Sequence, residues 1–93
     1  MIKSFKCKET KKIWDQIRSK KFSMPVQKIA LRKLFMMHRA KNLNDLRIPP
    51  ANCLEMLKGD RDRQHSIRIN SQWRICFVWE NGDIYNAEIV DYH

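Results

Sequence analysis

The feature that most constrains the fold is a stretch of alternating apolar and polar residues between positions 64 and 79. Side chains in a strand alternate between the two faces of a sheet, so the stretch predicts two consecutive strands separated by a polar break at Ser71 and Gln72. One face would carry Ile67, Ile69, Trp73, Ile75, Phe77 and Trp79. The other would carry Ser66, Arg68, Asn70, Arg74, Cys76 and Val78. The pattern predicts a sheet with one face against a core and guanidinium groups displayed on the other.

Two amphipathic segments in the first half of the chain predict helices. One runs from Lys8 to about Ser19, and the other from Val26 to about Lys41. Ser23 and Pro25 are a candidate cap and a candidate first-turn residue for the second helix. The apolar face of the first helix would consist of Ile13, Trp14 and Ile17.

Further strands are predicted at residues 2–5, within residues 53–60 and at residues 84–90, the last following a hairpin turn at Asn81-Gly82. The order β-α-α-β-β-β-β predicts one α+β domain over residues 1–93, with two helices on one face of a twisted, mostly antiparallel sheet.

The charge of the chain is strongly positive and unevenly distributed. Residues 1–41 hold 13 Lys/Arg and 2 Asp/Glu, whereas residues 42–93 hold 6 and 8, within a total of +9. A basic field of this kind attracts polyanions, and nucleic acid is favoured over a membrane because no lipidation motif is present. The alternative is a solvated lysine-rich helix face.

The cysteines and the first residues disfavour disulfide-rich, metal-binding and secreted proteins. Cys7, Cys53 and Cys76 are odd in number and lack C-x-x-C spacing, which predicts reduced thiols and neither a disulfide framework nor a metal site. The start M-I-K-S-F-K-C-K has no apolar signal region, so a cytoplasmic protein is expected.

Three motifs, in this order, resemble the HigB subgroup of RelE-type bacterial toxins. They are L-E-M-L-K-G-D at residues 54–60, S-I-R-I-N-S-Q-W-R-I at residues 66–75 and V-D-Y-H at residues 90–93. The resemblance implies a RelE-like microbial-RNase fold and a ribosome-dependent endoribonuclease that cuts mRNA in the decoding site without a cofactor. It also implies a HigA-type antitoxin with a helix-turn-helix, through which alone operator DNA would be bound.

Metal-free RNA cleavage requires an activated ribose 2′-OH, a stabilised phosphate charge and a protonated leaving oxygen. An arginine fork suits the second task. Arg74 is the first candidate because it alternates away from Trp73 and Ile75, and the resemblance matches it to the catalytic arginine of the family. Arg68 is expected to bind RNA. Each also fits a sheet-surface charge paired with a carboxylate.

The group Asp91, Tyr92 and His93 offers proton-transfer chemistry beside Arg74. His93 can act as acid or base near neutral pH, Asp91 can orient a catalytic side chain, and Tyr92 can stack on a base or share in proton transfer. A terminal histidine considered alone is more often frayed and idle. The resemblance implies a catalytic role, because members of the family end in this cluster.

Four residues near the middle of the chain complete the predicted site. Glu55 stands where some relatives carry histidine, and as an ionised carboxylate it fits a base, a partner that orients Arg74, or a plain strand residue. Lys58, Arg61 and Arg63 are expected to bind RNA phosphates.

Two function classes therefore stand open. One is the ribosome-dependent nuclease, and the other is a non-enzymatic basic module that blocks translation by occupying RNA. The convergence of Arg74 with the Asp-Tyr-His group favours catalysis, since a binder needs charge but no such cluster.

Overall fold

The computed structural model describes residues 1–57 and 63–91. Its elements in chain order are helices α1 (Lys8–Trp14) and α2 (Met24–Arg39), 3-10 helices at Leu43–Arg47 and Pro50–Asn52, and strands β1 (Glu55–Met56), β2 (Gln64–Arg68), β3 (Trp73–Glu80) and β4 (Asp83–Asp91). The strands form one antiparallel sheet in the order β1-β2-β3-β4. The predicted α+β architecture is confirmed. No helix within the described ranges is long and apolar enough to cross a bilayer.

The apolar face of the sheet lies against both helices, as the alternation predicts. The sheet contributes to the core Ile67 from β2, Ile69 just after β2, Ile75 and Phe77 from β3, and Ile84, Ala87 and Ile89 from β4. The helices contribute Ile13, Val26, Ala30, Leu34 and Met37. Trp73 and Trp79 pack at its margin. Burial of these side chains stabilises the fold by about 25 cal/mol for each Å² of apolar surface removed from water.

The first predicted strand is reduced to two isolated parallel bridges with β4, Ile2 with Ile84 and Phe5 with Ala87. The register of β4 against β3 shifts between Cys76 and Val78, and Asn86 takes a left-handed φ of 56°. A bulge of this kind bends the strand and interrupts its edge, which explains why pairing along residues 2–5 is not continuous.

Helix α1 is shorter than the sequence predicts, because it ends at Trp14 and not near Ser19. Gln16 adopts a left-handed φ of 60°, its N–H donates to the Ile13 carbonyl, and the Ile17 N–H donates to the Lys12 carbonyl. These two bonds form a Schellman motif, which terminates a helix. Ile17 is consequently 56% exposed, and the prediction that it belongs to the apolar face of the first helix is wrong.

Helix α2 begins and ends two residues before the predicted positions. Ser23 is its cap, since the Ser23 hydroxyl accepts from the Val26 N–H at 3.4 Å, and Pro25 lies in the first turn. Both local predictions are confirmed. The cap satisfies one of the amide groups that a helix start leaves without an internal partner.

Of the strand predicted within residues 53–60, the described part (residues 53–57) contains the strand Glu55–Met56. Before it, Cys53 adopts a left-handed φ of 46°, which breaks an extended run. After it, the Leu57 N–H still donates to the Gln64 carbonyl at 2.8 Å, and the Leu57 side chain is buried. Positions 58–60 lie outside the described residues.

Candidate active site on the helix-free face of the sheet

The sheet face that points away from the helices carries Arg74, the predicted catalytic arginine, and Arg68, which is predicted to bind RNA. Directly opposed residues of antiparallel strands point to the same face. The register therefore forms two rows on this polar face, one of Glu55, Ser66, Cys76 and Glu88 and one of Arg68, Arg74 and Val90. Arg68 and Arg74 are direct cross-strand neighbours, and Glu55 belongs to the adjacent row.

Arg74 is only 6% exposed, so the expectation of a guanidinium displayed on the surface is wrong. Its Nε donates to the Ser66 hydroxyl at 2.8 Å, and one Nη donates to the Cys53 carbonyl at 2.5 Å and the Ser66 carbonyl at 3.3 Å. The residue lies on the face opposite the helices, against the turn that leads into β1. The guanidinium is thus buried and hydrogen-bonded to Ser66 of β2 and to the turn before β1.

The turn that contacts Arg74 is itself fixed by a buried polar cluster. Asn52 is fully buried and donates to the Leu46 carbonyl at 3.2 Å and to the Ile48 carbonyl at 3.4 Å. Its side-chain oxygen accepts from the Lys33 ammonium on α2. Burial, and secondarily the nearby charge of Arg32, lowers the pKa of Lys33 below its ordinary value. A buried ammonium is tolerated when it has a strong acceptor, and here it connects α2 to the turn.

Sequence reasoning missed this contribution of Lys33 and Asn52. One signal could have indicated it, since Lys33 interrupts the apolar face of α2 at helical spacing from Ala30 and Met37. A lysine at such a position requires a buried acceptor or a route to water.

Arg68 is exposed, and its Nε donates to the Asn70 carbonyl at 3.0 Å. Glu55 is exposed on the edge strand, opposite the serine that accepts from Arg74.

The structure does not bring the Asp91 side chain to this face. Asp91 opposes Trp73, and the Trp73 ring packs edge-on against Phe22 at the core with centroids 5.1 Å apart. The side chain therefore lies on the helix side of the sheet, where it accepts from Gln72 Nε2 at 3.2 Å. The direct partner of Arg74 in β4 is Val90.

Several predicted positions fall outside the described residues, namely Lys58, Arg61, Tyr92 and His93. Arg63 is described and exposed, with a left-handed φ of 70° immediately before β2. His65 points to the helix side with Phe77, and burial lowers its pKa. Within residues 1–57 and 63–91, no three His, Cys, Asp or Glu side chains are grouped to hold a metal ion.

Two helices on one face of a four-stranded antiparallel sheet are consistent with the class of RelE-like toxins. The model of the HigB-like toxin family, described as the RelE-like toxin of the type II toxin-antitoxin system HigB, matches residues 3–93, and the chain belongs to this family.

Individual relatives agree with this assignment. The chain is 36% identical to Toxin HigB-1 of Vibrio cholerae over 73 residues, which are 78% of this chain and 77% of that protein. It is 44% identical to an uncharacterized protein of Haemophilus influenzae over 59 residues, 63% of this chain and 58% of that protein. It is 48% identical to Endoribonuclease HigB of Proteus vulgaris over 40 residues, 43% and 44% of the two chains. The chain thus spans about half the length of the last two relatives.

Proposed function

We propose that this protein is the toxin of a type II toxin–antitoxin pair and acts as a ribosome-dependent mRNA endoribonuclease. Membership of the HigB-like family supports the toxin role, and the printed name of the Proteus relative supports RNA cleavage. The observation that carries the proposal is the pair of adjacent arginines on the polar face, one of them immobilised by Ser66 and by the Cys53 carbonyl.

The two arginines have different roles in the proposed reaction. Arg68 is exposed, so its fork can contact phosphate oxygens directly and position the RNA. Arg74 supplies a fixed positive charge beneath that position, and a preorganised charge in a partly desolvated site stabilises the negative charge that develops on the phosphate. In this scheme a side chain of the protein supplies the positive charge that stabilises the reacting phosphate.

Proton transfer is assigned to the remaining predicted residues. His93 and Tyr92 would exchange protons with the 2′-OH and the leaving 5′-oxygen, with Asp91 as an orienting carboxylate. Glu55, exposed in the row beside Arg74, is a second candidate base. Because Asp91 lies on the helix side, its role would be to orient, through the backbone or a neighbouring residue, and not to contact the phosphate.

The proposed partners follow from the family and from the charge. They are a HigA-type antitoxin, which would carry any operator binding, and the ribosome with its translated mRNA. Lys58, Arg61 and Arg63 would contribute contacts to phosphates, which add affinity but carry no sequence information.

The test is to map new 5′ ends on a translated mRNA in a purified translation system. Arg74→Ala should reduce cleavage on the order of 10²–10³-fold, as removal of a charge-stabilising donor does elsewhere. Arg68→Ala should weaken it less, mainly through mRNA binding, and removal of His93 should abolish proton transfer. Arg39→Ala, an exposed arginine at the end of α2, is the matched control and should cleave normally.

Because Arg74 is buried, a variant at this position can lose cleavage either through lost chemistry or through unfolding. Arg74→Lys, which keeps the positive charge, and a thermal melt of each variant distinguish these two causes. A second candidate function is a non-enzymatic module that blocks translation by binding RNA, which the basic first half of the chain favours. Translation arrest without new 5′ ends in the wild-type protein would establish this binder and reject the nuclease.

A further inference from the structure

A buried lysine lies on the core-facing side of α2. Lys33 is 8% exposed, and its neighbours on that side of the helix, Ala30 and Met37, belong to the core. Burial lowers the pKa of the Lys33 ammonium, with a smaller contribution from the charge of Arg32. A buried charge opposes folding unless strong hydrogen bonds offset its lost hydration. Core packing by itself therefore does not explain a lysine at this position.

Lys33 is hydrogen-bonded to Asn52, a fully buried residue in the turn before β1. The Lys33 ammonium donates to Asn52 Oδ1. Asn52 Nδ2 donates to the Leu46 carbonyl at 3.2 Å and to the Ile48 carbonyl at 3.4 Å. These bonds use both ends of the amide, and a flipped amide would turn a donor toward the ammonium. The ammonium therefore selects the orientation of the Asn52 side chain.

The residue after Asn52 contacts Arg74 on the other side of the sheet. The Cys53 N–H donates to the Pro50 carbonyl at 3.0 Å, and the Cys53 carbonyl accepts from an Nη of Arg74 at 2.5 Å. Helix α2 packs on the sheet face opposite Arg74. Two consecutive residues, Asn52 and Cys53, therefore connect a hydrogen bond on the helix side to a hydrogen bond on the polar face.

We propose that Lys33 is a positioning residue for RNA cleavage and acts through Arg74. By holding Asn52 it holds the adjacent Cys53 carbonyl, and this carbonyl keeps the Arg74 guanidinium beneath the phosphate. Lys33 does not contact RNA in this role, because it is buried and its ammonium is bonded to Asn52. The proposal rests on the proposed function, which assigns the phosphate charge to Arg74.

Loss of the Lys33 ammonium should slow the reaction without weakening substrate binding. Lys33→Met keeps the length of the side chain and removes its donors, so Asn52 Oδ1 loses its partner and the turn shifts. A displacement of about 1 Å is sufficient to lower a rate by up to about 10²-fold. In the purified translation system, kcat should fall by about tenfold or more, while the KM for the ribosome stays within about twofold. An unchanged kcat at matched folded concentration would overturn the proposal.

Gln27→Ala is the matched control for lost stability. Gln27 is buried on the same helix, and its side chain bonds to Ser19 and Phe22 in the α1–α2 connection. A thermal melt of each variant gives the folded fraction, and folded Gln27→Ala protein should retain the wild-type kcat. If kcat falls equally in Lys33→Met and Gln27→Ala, Lys33 acts through general stability and the proposal is wrong.

A double-mutant cycle tests whether Lys33 acts through Arg74. In the Arg74→Ala background, Lys33→Met should lower kcat by less than about twofold, since the group that it positions is already absent. The same fold reduction in both backgrounds would mean that the two residues act independently, which contradicts the proposal.

An NMR measurement without RNA distinguishes this proposal from the nuclease proposal. The Arg74 Nε–H donates to the Ser66 hydroxyl at 2.8 Å, and its signal is assigned by its loss in Arg74→Lys. Lys33→Met should displace this signal, and Gln27→Ala should leave it in place. An undisplaced signal in Lys33→Met would show that Lys33 does not position Arg74. If the wild-type protein does not cleave mRNA, a displaced signal still supports the connection from Lys33 to Arg74, and only the nuclease is rejected.

Discussion

At the scale of single residues, the position of Arg74 changes the chemistry expected of it. In the proposed reaction, a guanidinium on an exposed strand would act by direct contact, whereas one that is 6% exposed would act mainly as a fixed charge. Its orientation depends on Ser66, which accepts from Nε, and on a carbonyl of the turn before β1. Ser66 is therefore expected to matter for both stability and activity without touching the RNA.

Ser66→Ala removes the hydroxyl acceptor of a buried charged donor and should lower the free energy of unfolding by about 1–3 kcal/mol. The urea midpoint measures the change, with Ser71→Ala in the exposed β2–β3 turn as the control. Cleavage at matched folded concentration should fall as well. Equal midpoints for the two variants would show that Ser66 contributes nothing to Arg74.

At the scale of elements, the side chain of Gln27 stabilises the connection between α1 and α2. Gln27 is buried, and its Oε1 accepts from the Ser19 N–H at 3.0 Å. Its Nε2 donates to the Ser19 carbonyl at 2.8 Å and the Phe22 carbonyl at 2.6 Å. A glutamine thus satisfies backbone groups that the early end of α1 leaves without helical partners.

Gln27→Ala should cost about 2–3 kcal/mol, because it leaves buried backbone donors and acceptors unsatisfied. Lys28→Ala, the exposed neighbour on the same helix turn, should change the free energy of unfolding by no more than about 0.5 kcal/mol. Chemical denaturation of both variants measures the difference. Equal losses of stability in the two variants would show that water replaces the glutamine without penalty and that Gln27 does not stabilise the connection.

At the scale of the whole molecule, the positive charge is concentrated in the first 41 residues, which include both helices, and the described catalytic candidates lie in the sheet. Residues 1–41 carry a net +11 and the rest a net −2. The helical half therefore dominates the long-range field, while the polar face supplies local geometry. Because the two are separate, substitutions can change the electrostatic attraction of RNA without changing the reaction on RNA, and the reverse.

Ribosome binding by the toxin alone should depend steeply on salt, since each neutralised phosphate releases counterions. Between about 50 and about 200 mM salt, the affinity should fall on the order of 10²-fold or more if several lysines contact RNA. Filter binding or sedimentation at several salt concentrations gives the slope. A flat affinity over this range would contradict a charge-driven encounter.

Much of the fold could be predicted from local patterns in the sequence. The alternation of residues 64–79 predicts which side chains of β2 and β3 face the core, and the serine-proline start of α2 predicts its cap. Both depend on interactions between residues within a few positions of each other, so a single sequence records them. The family motifs likewise identify the class of toxin without coordinates.

The surroundings of the candidate site residues depend on contacts between residues that are far apart in the sequence. Arg74 is buried because Cys53, 21 positions earlier, brings its carbonyl to the guanidinium. Asp91 faces the helices because the register of β4 pairs it with Trp73. Alternation assigns a residue to a face, but only tertiary packing determines what covers that face and which strands lie in register. The sequence by itself therefore determined the sheet, the helices and the family, and the tertiary structure determined the surroundings of Arg74 and Asp91.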